Sequence, residues 1–444
     1  MRKNYHLCLF LVSLAIPFIA SSQPTMQLSL QEALKLAEEN NLTTKSAEAR
    51  QLAARGNYRM TNSVFLPGLT VSTTGVTTND PLSSFGFKLK QEIVTQADFD
   101  PASLNDPERI DNFNAKIEIQ QPILNIDGIY ARKAAKNQYE AMSLQTQRVK
   151  ENIRYEVKKA YYMLELATNA VAVFQKSVDV AEDALKLTRD FEAQGMVKHS
   201  DLLEAMVRVD ERQNQLNDAK NNLQTANEFL AHLLGLDLNT AIATTDSMLL
   251  SPAQAAYNAS NQTLENRSDM QAIQKQIQGA ENLLKSEKMK FVPRLNAFGS
   301  YEWNDSKLLG TSANNYMVGA SLSWNLFGGY KNLGSAQHAK AQLQEAQYNY
   351  EDYLSQSQIQ VNRAKRNLEL KYQQVQSGQL AKEQAAESFR IRTDRFKQGL
   401  EKTTDLLMSE ALTSQKNLEF IQAIYNYQQA IFEMELLLEN DINE

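Results

Sequence analysis

The sequence predicts a mixed α/β membrane protein built from two structural repeats, each with two β-strands and a pair of very long helices. Apolar and polar residues alternate in 113–122 and again in 316–326, which gives each segment one apolar face. Each of these strands is followed by about 60 residues without proline that carry a narrow helical stripe of apolar and small side chains. The chain therefore contains one plan twice: strand, loop, strand, long helix, tip and long helix back.

Composition excludes several classes of protein. The 444 residues include 43% hydrophobic and 22% charged side chains, so the chain is able to bury a sizeable core. Sixteen glycines and nine prolines are few for this length, which favours long uninterrupted helices. A net charge of -6 without a basic cluster argues against nucleic acid as a partner.

Residues 1–22 are predicted to be a signal peptide that is removed on export. Two basic residues precede a 13-residue apolar run, and small residues stand just before Gln23. The run is too short for a transmembrane anchor, which needs about 20 apolar residues. The only cysteine, Cys8, lies inside this run and not at the cleavage position. We therefore expect neither a lipid anchor nor a disulfide in the mature chain.

The mature chain is expected to divide into a first repeat, 23–264, and a second repeat, 265–444. It should open with a helix that a capping box of Ser29 and Glu32 begins and that extends to about Met60, with a possible break near Asn40. The first repeat is predicted to contain strands at about 69–76 and 113–122, a helical hairpin at about 128–235 and an irregular linker at 236–264. The second is predicted to contain strands at about 295–303 and 316–326 and a helical hairpin at about 329–438.

The loops between the paired strands differ in length and charge. The first, roughly 77–112, is long and acidic, whereas the second, roughly 304–315, is short. Long outer loops are typical of proteins that cross a membrane with strands. The aspartates of the long loop are Asp98, Asp100, Asp106 and Asp111. They lack the spacing of an EF-hand, so a solvated surface loop is favoured over a calcium site.

No later segment reaches 18 consecutive apolar residues, so any membrane crossing has to use strands. Four strands with one apolar face leave two open edges, and open edges do not persist in lipid. Closure needs at least about eight strands, so several copies of the chain must contribute. Two copies would supply eight strands and three would supply twelve. Aromatic residues near strand ends fit an interfacial girdle: Trp303, Tyr316, Trp324 and Phe327.

Residues that could carry catalysis do not form a recognisable set. The sequence lacks a phosphate-binding loop, a serine elbow and a zinc-binding HExxH motif. The four histidines are scattered along the chain: His6, His199, His232 and His338. We therefore predict no enzyme activity, no cofactor and no metal site.

Each long helix ends at a matching turn. Gly195 precedes Asp201 by six residues, and Gly399 precedes Asp405 by six residues. Glycine supplies the left-handed residue that ends a helix. Ser200 and Thr404 are the candidate caps of the helices that follow. These turns are predicted to be the tips of two helical hairpins.

The order of these motifs resembles the TolC family of outer-membrane efflux channels. The shared motifs cover nearly all of the mature chain: the opening LSLQEALKLAEENN, the corners FLPGL and FVPRL, the corners QPIL and WNLFGG, and two G-x5-D-L-L tips. The resemblance implies a homotrimer whose twelve strands form one β-barrel and whose helices form a coiled-coil α-barrel through the periplasm. It also implies an outer-membrane location in a diderm bacterium.

The same resemblance implies the exit channel of a tripartite efflux or type I secretion system, which conducts substrates passively. The expected partners are a periplasmic adaptor and an inner-membrane RND, ABC or MFS transporter. The alternative is a periplasmic or surface coiled-coil protein with a structural or adhesive role and no transport. The sequence does not indicate which substrate is transported.

The resemblance also implies site residues at the tips. Asp405 matches the acidic ring of the periplasmic gate, and Asp201 matches the link position of the first tip. Met408 and Glu401 depart from the family pattern, because an acid and a basic link residue are expected there. We therefore expect an Asp405 ring with a thioether ring from Met408, or Asp405 acts only as a first-turn acid of its helix. Adaptor docking is expected around Gly195, Gly399, Phe191 and Phe396.

Overall fold

A computed structural model of the chain describes residues 25–248 and 264–439. The predicted signal peptide and residues 249–263 of the predicted linker lie outside the described residues. The chain forms two compact units. The first comprises the described parts of Met1–Asn41, Glu156–Leu250 and Gln376–Tyr425, and the second those of Leu42–Tyr155, Ser251–Val375 and Asn426–Glu444.

The elements follow the predicted order of strands and long helices, repeated once. The first repeat contains β1 (Met26–Leu28), α1 (Leu30–Asn40), α2 (Leu42–Met60), β2 (Gly68–Thr78), α3 (Pro81–Lys90), α4 (Pro101–Asn105), β3 (Ile110–Leu124), α5 (Ile126–Ala193), α6 (His199–Leu234) and β4 (Ile242–Thr244). The second contains α7 (Ser268–Met289), β5 (Arg294–Asp305), β6 (Ala313–Ser323), α8 (Lys331–Lys397) and α9 (Thr403–Leu438). The predicted fold class is confirmed.

The predicted capping box begins α1. The backbone N–H of Ser29 donates to Glu32 Oε2 at 2.8 Å, and the Glu32 N–H donates back to Ser29 Oγ at 3.3 Å. This reciprocal pair satisfies two amides that the first helical turn cannot bond internally. The break also falls where the sequence places it, because Asn41 interrupts the helix and its side chain donates to the Leu233 carbonyl at 2.8 Å.

A small parallel sheet in the first unit corrects the expectation of a wholly irregular linker. Strand β4 lies within predicted linker residues and pairs with β1. The buried Tyr161 hydroxyl lies at the end of this sheet: it donates to the Leu28 carbonyl at 2.8 Å and accepts from the Thr245 and Asp246 amides at 3.1 Å. A three-residue strand is fixed by such tertiary contacts, so its local sequence gave no sign of it.

The second unit contains a four-stranded antiparallel sheet in the order β2-β3-β5-β6. Strands β3 and β5 join the two repeats, with Ala115 opposite Trp303. Strand β6 ends at Ser323, before the predicted end at 326. The Trp324 indole N–H donates instead to the Phe291 carbonyl at 2.9 Å, which draws the chain away from the sheet.

The long segment between β2 and β3 is folded, although the sequence suggested a loop. It contains α3 and α4 and a short 3₁₀ helix at Gln96–Phe99. Both α-helices begin with an Asp-Pro pair: Asp80 accepts from the Ser83 amide at 2.9 Å, and Asp100 precedes Pro101. Aspartate before proline is a favourable helix start.

The long helices α5, α6, α8 and α9 fill most of the described chain. Apolar and small side chains bury their shared faces, as the predicted stripe requires. No helix in the described part of the chain combines the length and apolar character that membrane crossing requires.

Candidate functional site

The two helical tips lie in the first unit and share one backbone design. Gly195 and Gly399 have φ values of +72° and +70°, in the left-handed region that glycine adopts without strain. The Met196 amide donates to the Phe191 carbonyl at 2.9 Å, and the Leu400 amide donates to the Arg395 carbonyl at 3.0 Å. The same closure therefore ends α5 and α8. We refer to residues 191–203 as the first tip and to 396–407 as the second tip.

An aromatic pair joins the two tips. The rings of Phe191 and Phe396 meet edge to face with centroids 6.1 Å apart. Phe396 is 3% exposed and Phe191 is half-buried. The pair belongs to a core cluster that also contains Ala181, Ala184, Leu406 and Leu407. The two tips are consequently packed as one body through apolar contacts.

A buried pair of hydroxyl groups adds a polar contact between the hairpins. Thr188 Oγ1 donates to the Ala184 carbonyl at 2.8 Å and lies 3.0 Å from Thr403 Oγ1. Because the Thr188 proton is used within its own helix, Thr403 has to donate to Thr188. Both residues are buried, so water does not replace this bond.

Glu401 pairs with two arginines near the end of α8. Its Oε1 lies 2.7 Å from Arg392 Nη1, and its Oε2 lies 3.0 Å from Arg395 Nε. The glutamate side chain is only 12% exposed. The family pattern suggested a basic residue at this position. In this chain the acid stands in the turn, and the basic partners come from the end of α8.

Asp201 lies in the first turn of α6, and the predicted caps are wrong. Its carboxylate accepts from the Lys198 amide and from Ser200 Oγ, both at 3.3 Å. Helix α6 begins at His199 and α9 begins at Thr403, so Ser200 and Thr404 lie inside the first turns. Asp201, the third residue of α6, accepts the backbone hydrogen bond at the helix start, a role that the sequence analysis assigned to the Ser200 hydroxyl.

Asp405 and Met408 are the third and sixth residues of α9. Asp405 is half-buried and makes no hydrogen bond or ion pair in the described part of the chain. Met408 is 67% exposed. Residues three apart lie on the same side of a helix, so both side chains share one surface. Among the described residues, no group of three or more His, Cys, Asp or Glu side chains is placed to hold a metal ion.

A groove of about 640 Å³ lies between the two tips. It is lined by six of the eight predicted site residues: Phe191, Gly195, Asp201, Phe396, Gly399 and Glu401. Lys198 and Lys402 add positive charge beside the two acids. Asp405 and Met408 are not among the lining residues. The groove therefore brings together all four predicted docking residues and two of the four predicted gate residues, Asp201 and Glu401.

A second ion pair lies further along the hairpins. Arg212 Nε is 3.5 Å from Glu410 Oε2, and Ser414 Oγ donates to Glu410 Oε1 at 2.6 Å. The two charged side chains are 15% and 5% exposed. Sequence reasoning missed this pair, and it also missed Thr188, Thr403 and the two arginines of α8 that pair with Glu401. The only signal was polar residues within an otherwise apolar stripe, which does not identify their partners.

The fold is that of known outer-membrane channels. The CmeC outer membrane channel of Campylobacter jejuni matches with a TM-score of 0.79 and 16% identity over 94% of this chain and 87% of that chain. VceC of Vibrio cholerae matches with a TM-score of 0.76 and 16% identity over 93% of this chain and 97% of that chain. The open-state MtrE channel of Neisseria gonorrhoeae matches with a TM-score of 0.72 and 15% identity over 93% of this chain and 89% of that chain. The chain therefore has the two-repeat fold of these proteins.

Family membership rests on the sequence itself. The family model described as outer membrane efflux protein matches residues 33–236 and 259–438. This chain belongs to the outer membrane efflux protein family, and its function is efflux across the outer membrane, with the helical part in the periplasm. The family is one of transport channels and not of enzymes. Its members form trimers and work with adaptors and inner-membrane pumps.

The structural or adhesive alternative gains no support from any comparison. Among curated proteins, none gives a significant sequence match.

Proposed function

We propose that three copies of this chain form one exit duct that receives substrates from an inner-membrane RND, ABC or MFS transporter through a periplasmic adaptor. In this proposal the division into repeats 23–264 and 265–444 supplies two strands and one helical hairpin each. The observation that carries the proposal is the tip groove, because two equivalent turns from the two repeats build it together. Strands contributed by three copies close one wall without an open edge.

The groove is the proposed adaptor-docking surface. Gly195 and Gly399 leave open space where a side chain would stand, since a Cβ at either position meets nothing within 4 Å. Phe191 and Phe396 form the apolar floor, and Asp201 and Glu401 with two lysines form a polar rim. An apolar floor with a charged rim is the usual anatomy of a specific protein interface.

The proposed gate lies on the adjoining turn of α9. Asp405 has no partner in the described part of the chain, and Met408 is exposed one turn further on. Three copies would place three carboxylates and three thioethers around the duct. Rings of acidic side chains select and hold cations at such constrictions. Asp201 is proposed to link neighbouring hairpins, and Glu401 is proposed to keep the second tip closed.

The Asp405→Asn variant tests the gate. It removes three charges from the ring while keeping the size of each side chain. We expect block of the current by Mg²⁺ in planar bilayers to weaken by about tenfold, because the attraction for the divalent ion is lost. Glu387→Gln is the matched control: Glu387 is an exposed acid of α8 that pairs with Arg390.

Unchanged Mg²⁺ block in Asp405→Asn would leave Asp405 as a first-turn acid that stabilises α9 and nothing more. A protein that is monomeric in detergent would contradict the trimeric duct itself.

A further inference from the structure

The segment between β2 and β3 folds as one compact piece. The rings of Phe85 in α3 and Phe99 in the 3₁₀ helix meet edge to face at 5.5 Å. Lys88 Nζ lies 2.7 Å from Asp98 Oδ1. The hydrogen bond from Lys88, helped by those from Thr95, lowers the pKa of Asp98 to about 2. The carboxylate therefore stays charged, and the ion pair persists, at more acidic pH than for an unpaired aspartate.

Helix α3 is anchored to one face of the four-stranded sheet. Lys90 Nζ lies 3.1 Å from Glu302 Oε1, and Gln91 Nε2 donates to Asn112 Oδ1 at 2.9 Å. Glu302 stands opposite Lys116 in the register, and Asn112 precedes Lys116 by four residues on the same strand. Side chains alternate between faces, so Glu302, Asn112 and Lys116 share one face. Both anchors hold the end of α3 against this face.

The shared face is the polar one, and α3 covers its outer end. Asn112 is 2% exposed and Asn304, on the same face, is fully buried. Ser84 and Gln91 of the covering segment are buried as well. Amide side chains on an uncovered wall would face water. Their burial shows that the helix lies over them and that the segment does not project away from the sheet.

The opposite face of the sheet is apolar and exposed. Val71, Val318 and Leu322 are 70%, 78% and 66% exposed. In a closed wall of strands the apolar face contacts lipid and the polar face lines the lumen. Helix α3 therefore lies on the lumen side, at the end of the strands that is remote from the long helices.

Helix α3 still carries an uncovered apolar stripe. Leu82 is 84% exposed and Leu89 is 52% exposed. They are seven residues apart, which places them on one side of the helix, two turns apart. Apolar side chains on the wet side of a channel wall need an apolar partner. One such helix per subunit, each on the lumen side of its own sheet, brings three equivalent stripes toward the same axis.

Building on the trimeric duct proposed above, we propose that α3 narrows the outer mouth of the duct from within. Leu82 and Leu89 of the three subunits contact one another as an apolar constriction. The apolar stripe of each subunit is thus covered by the same stripe of a neighbouring subunit. An apolar constriction resists passage of water and ions because the narrow pore dewets. This would give the duct a second barrier in addition to the proposed gate at the tips.

Cysteine cross-linking tests the contact between copies. The only native cysteine is Cys8, within the predicted signal peptide, so Leu82→Cys introduces a unique thiol into the mature chain. Mild oxidation should link two copies within most purified trimers. Ser306→Cys, in the exposed turn between β5 and β6, is the matched control and should give at least tenfold less linked product, an estimate based on the distance limit for disulfides.

Thiol accessibility tests the narrowing itself. Ser300 lies on the polar face of β5, two residues further from the outer mouth than Glu302, and Ser300→Cys places a thiol there. In intact cells a large membrane-impermeant maleimide should label it slowly. Adding Leu82→Asp and Leu89→Asp should accelerate labelling by about tenfold, since three pairs of like charges repel. Labelling of Ser306→Cys should stay unchanged.

Trimers that give equal linked product at both cysteines, with Ser300→Cys labelled at the same rate with and without the two aspartates, would overturn the outer constriction alone. A protein that forms no trimers would instead contradict the proposed duct on which this inference rests.

Discussion

The two tips have the same backbone closure and different side-chain restraints. In the first tip Asp201 accepts from the Lys198 amide, and His199 lies 3.2 Å from Glu192 with its side chain 70% exposed. In the second tip Glu401 is 12% exposed and contacts two arginines. An exposed pair contributes at most about 1 kcal/mol, whereas charged hydrogen bonds to a mostly buried group contribute more.

This difference assigns unequal roles to two turns that the repeat makes equivalent. The glycine closure depends on the main chain and recurs in both copies. The polar contacts depend on particular side chains and have diverged. The second tip is consequently the more strongly restrained of the two, and its release should matter more for opening the duct.

Removing the Glu401 charge should give the largest effect. Glu401→Gln replaces two charged hydrogen bonds by weaker ones, which we expect to cost the closed tip about 2 kcal/mol after allowance for the exposed arginines. Single-channel recordings in planar bilayers should show a higher open probability. Glu192→Gln removes the acid that lies beside the exposed His199 in the first tip and should change the open probability little.

Equal open probabilities for Glu401→Gln and Glu192→Gln would contradict the unequal restraint. Arg390→Gln is a further control, because Arg390 forms only exposed pairs on the same helix, with Glu387 and Asp394. It should behave as the unmodified protein does.

Substitution of the two tip glycines should give intermediate and equal effects. Gly195→Ala and Gly399→Ala place a side chain at a positive φ without any clash, since no atom lies within 4 Å of the added Cβ. The cost is therefore conformational, about 1–2 kcal/mol at each tip. The turns should be displaced, and capture of the adaptor should weaken while trimers stay intact.

Gly334→Ala is the matched control for the glycines. Gly334 lies inside α8 with open space around its Cβ position and without a positive φ. Alanine there should stabilise the helix by about 1 kcal/mol. Adaptor capture equal in all three variants would remove the tips from the docking surface, and a loss at only one tip would show that the two copies are not equivalent.

Local patterns identified those parts of the fold that are locally determined. Ser29 and Glu32 begin α1 as predicted, and the glycines end α5 and α8 because their conformation is set by the adjoining turn. The position of α3 on the polar face was not predictable, since Lys90 and Glu302 are 212 residues apart in sequence. The short β4 was missed for the same reason.

The tip residues divide along the same line. Matching the repeats located Gly195, Gly399 and Asp201, because equivalent positions in the two repeats can be read from spacing, whereas Glu401 was singled out by its departure from the family pattern. The sequence could not show that Glu401 pairs with Arg392 and Arg395, because the intervening turn decides which side chains meet. Of the residues that join different hairpins, Phe191 and Phe396 were named as docking residues, whereas the polar contacts of Thr188 with Thr403 and of Arg212 with Glu410 were missed.

Substitutions in the hydroxyl pair, Thr188 and Thr403, should have the smallest effect of those predicted here, and that effect should be on the stability of the contact between the hairpins. Thr188→Val leaves the buried Thr403 hydroxyl without its acceptor, and Thr403→Val leaves Thr188 with its bond to the Ala184 carbonyl. Thr188→Val should therefore destabilise the tips more. The double variant should cost less than the sum of the two, with a coupling of about 1 kcal/mol.

Thermal unfolding of the detergent-solubilised protein, followed by circular dichroism, measures this coupling. Thr168 provides the control, because its hydroxyl donates only to the Leu164 carbonyl within α5. Thr168→Val combined with Thr403→Val should be additive. Additivity in the Thr188 pair as well would mean that the two hydroxyls do not restrain each other. The link between the hairpins would then rest on the apolar cluster around Phe191 and Phe396 and on the Arg212–Glu410 ion pair.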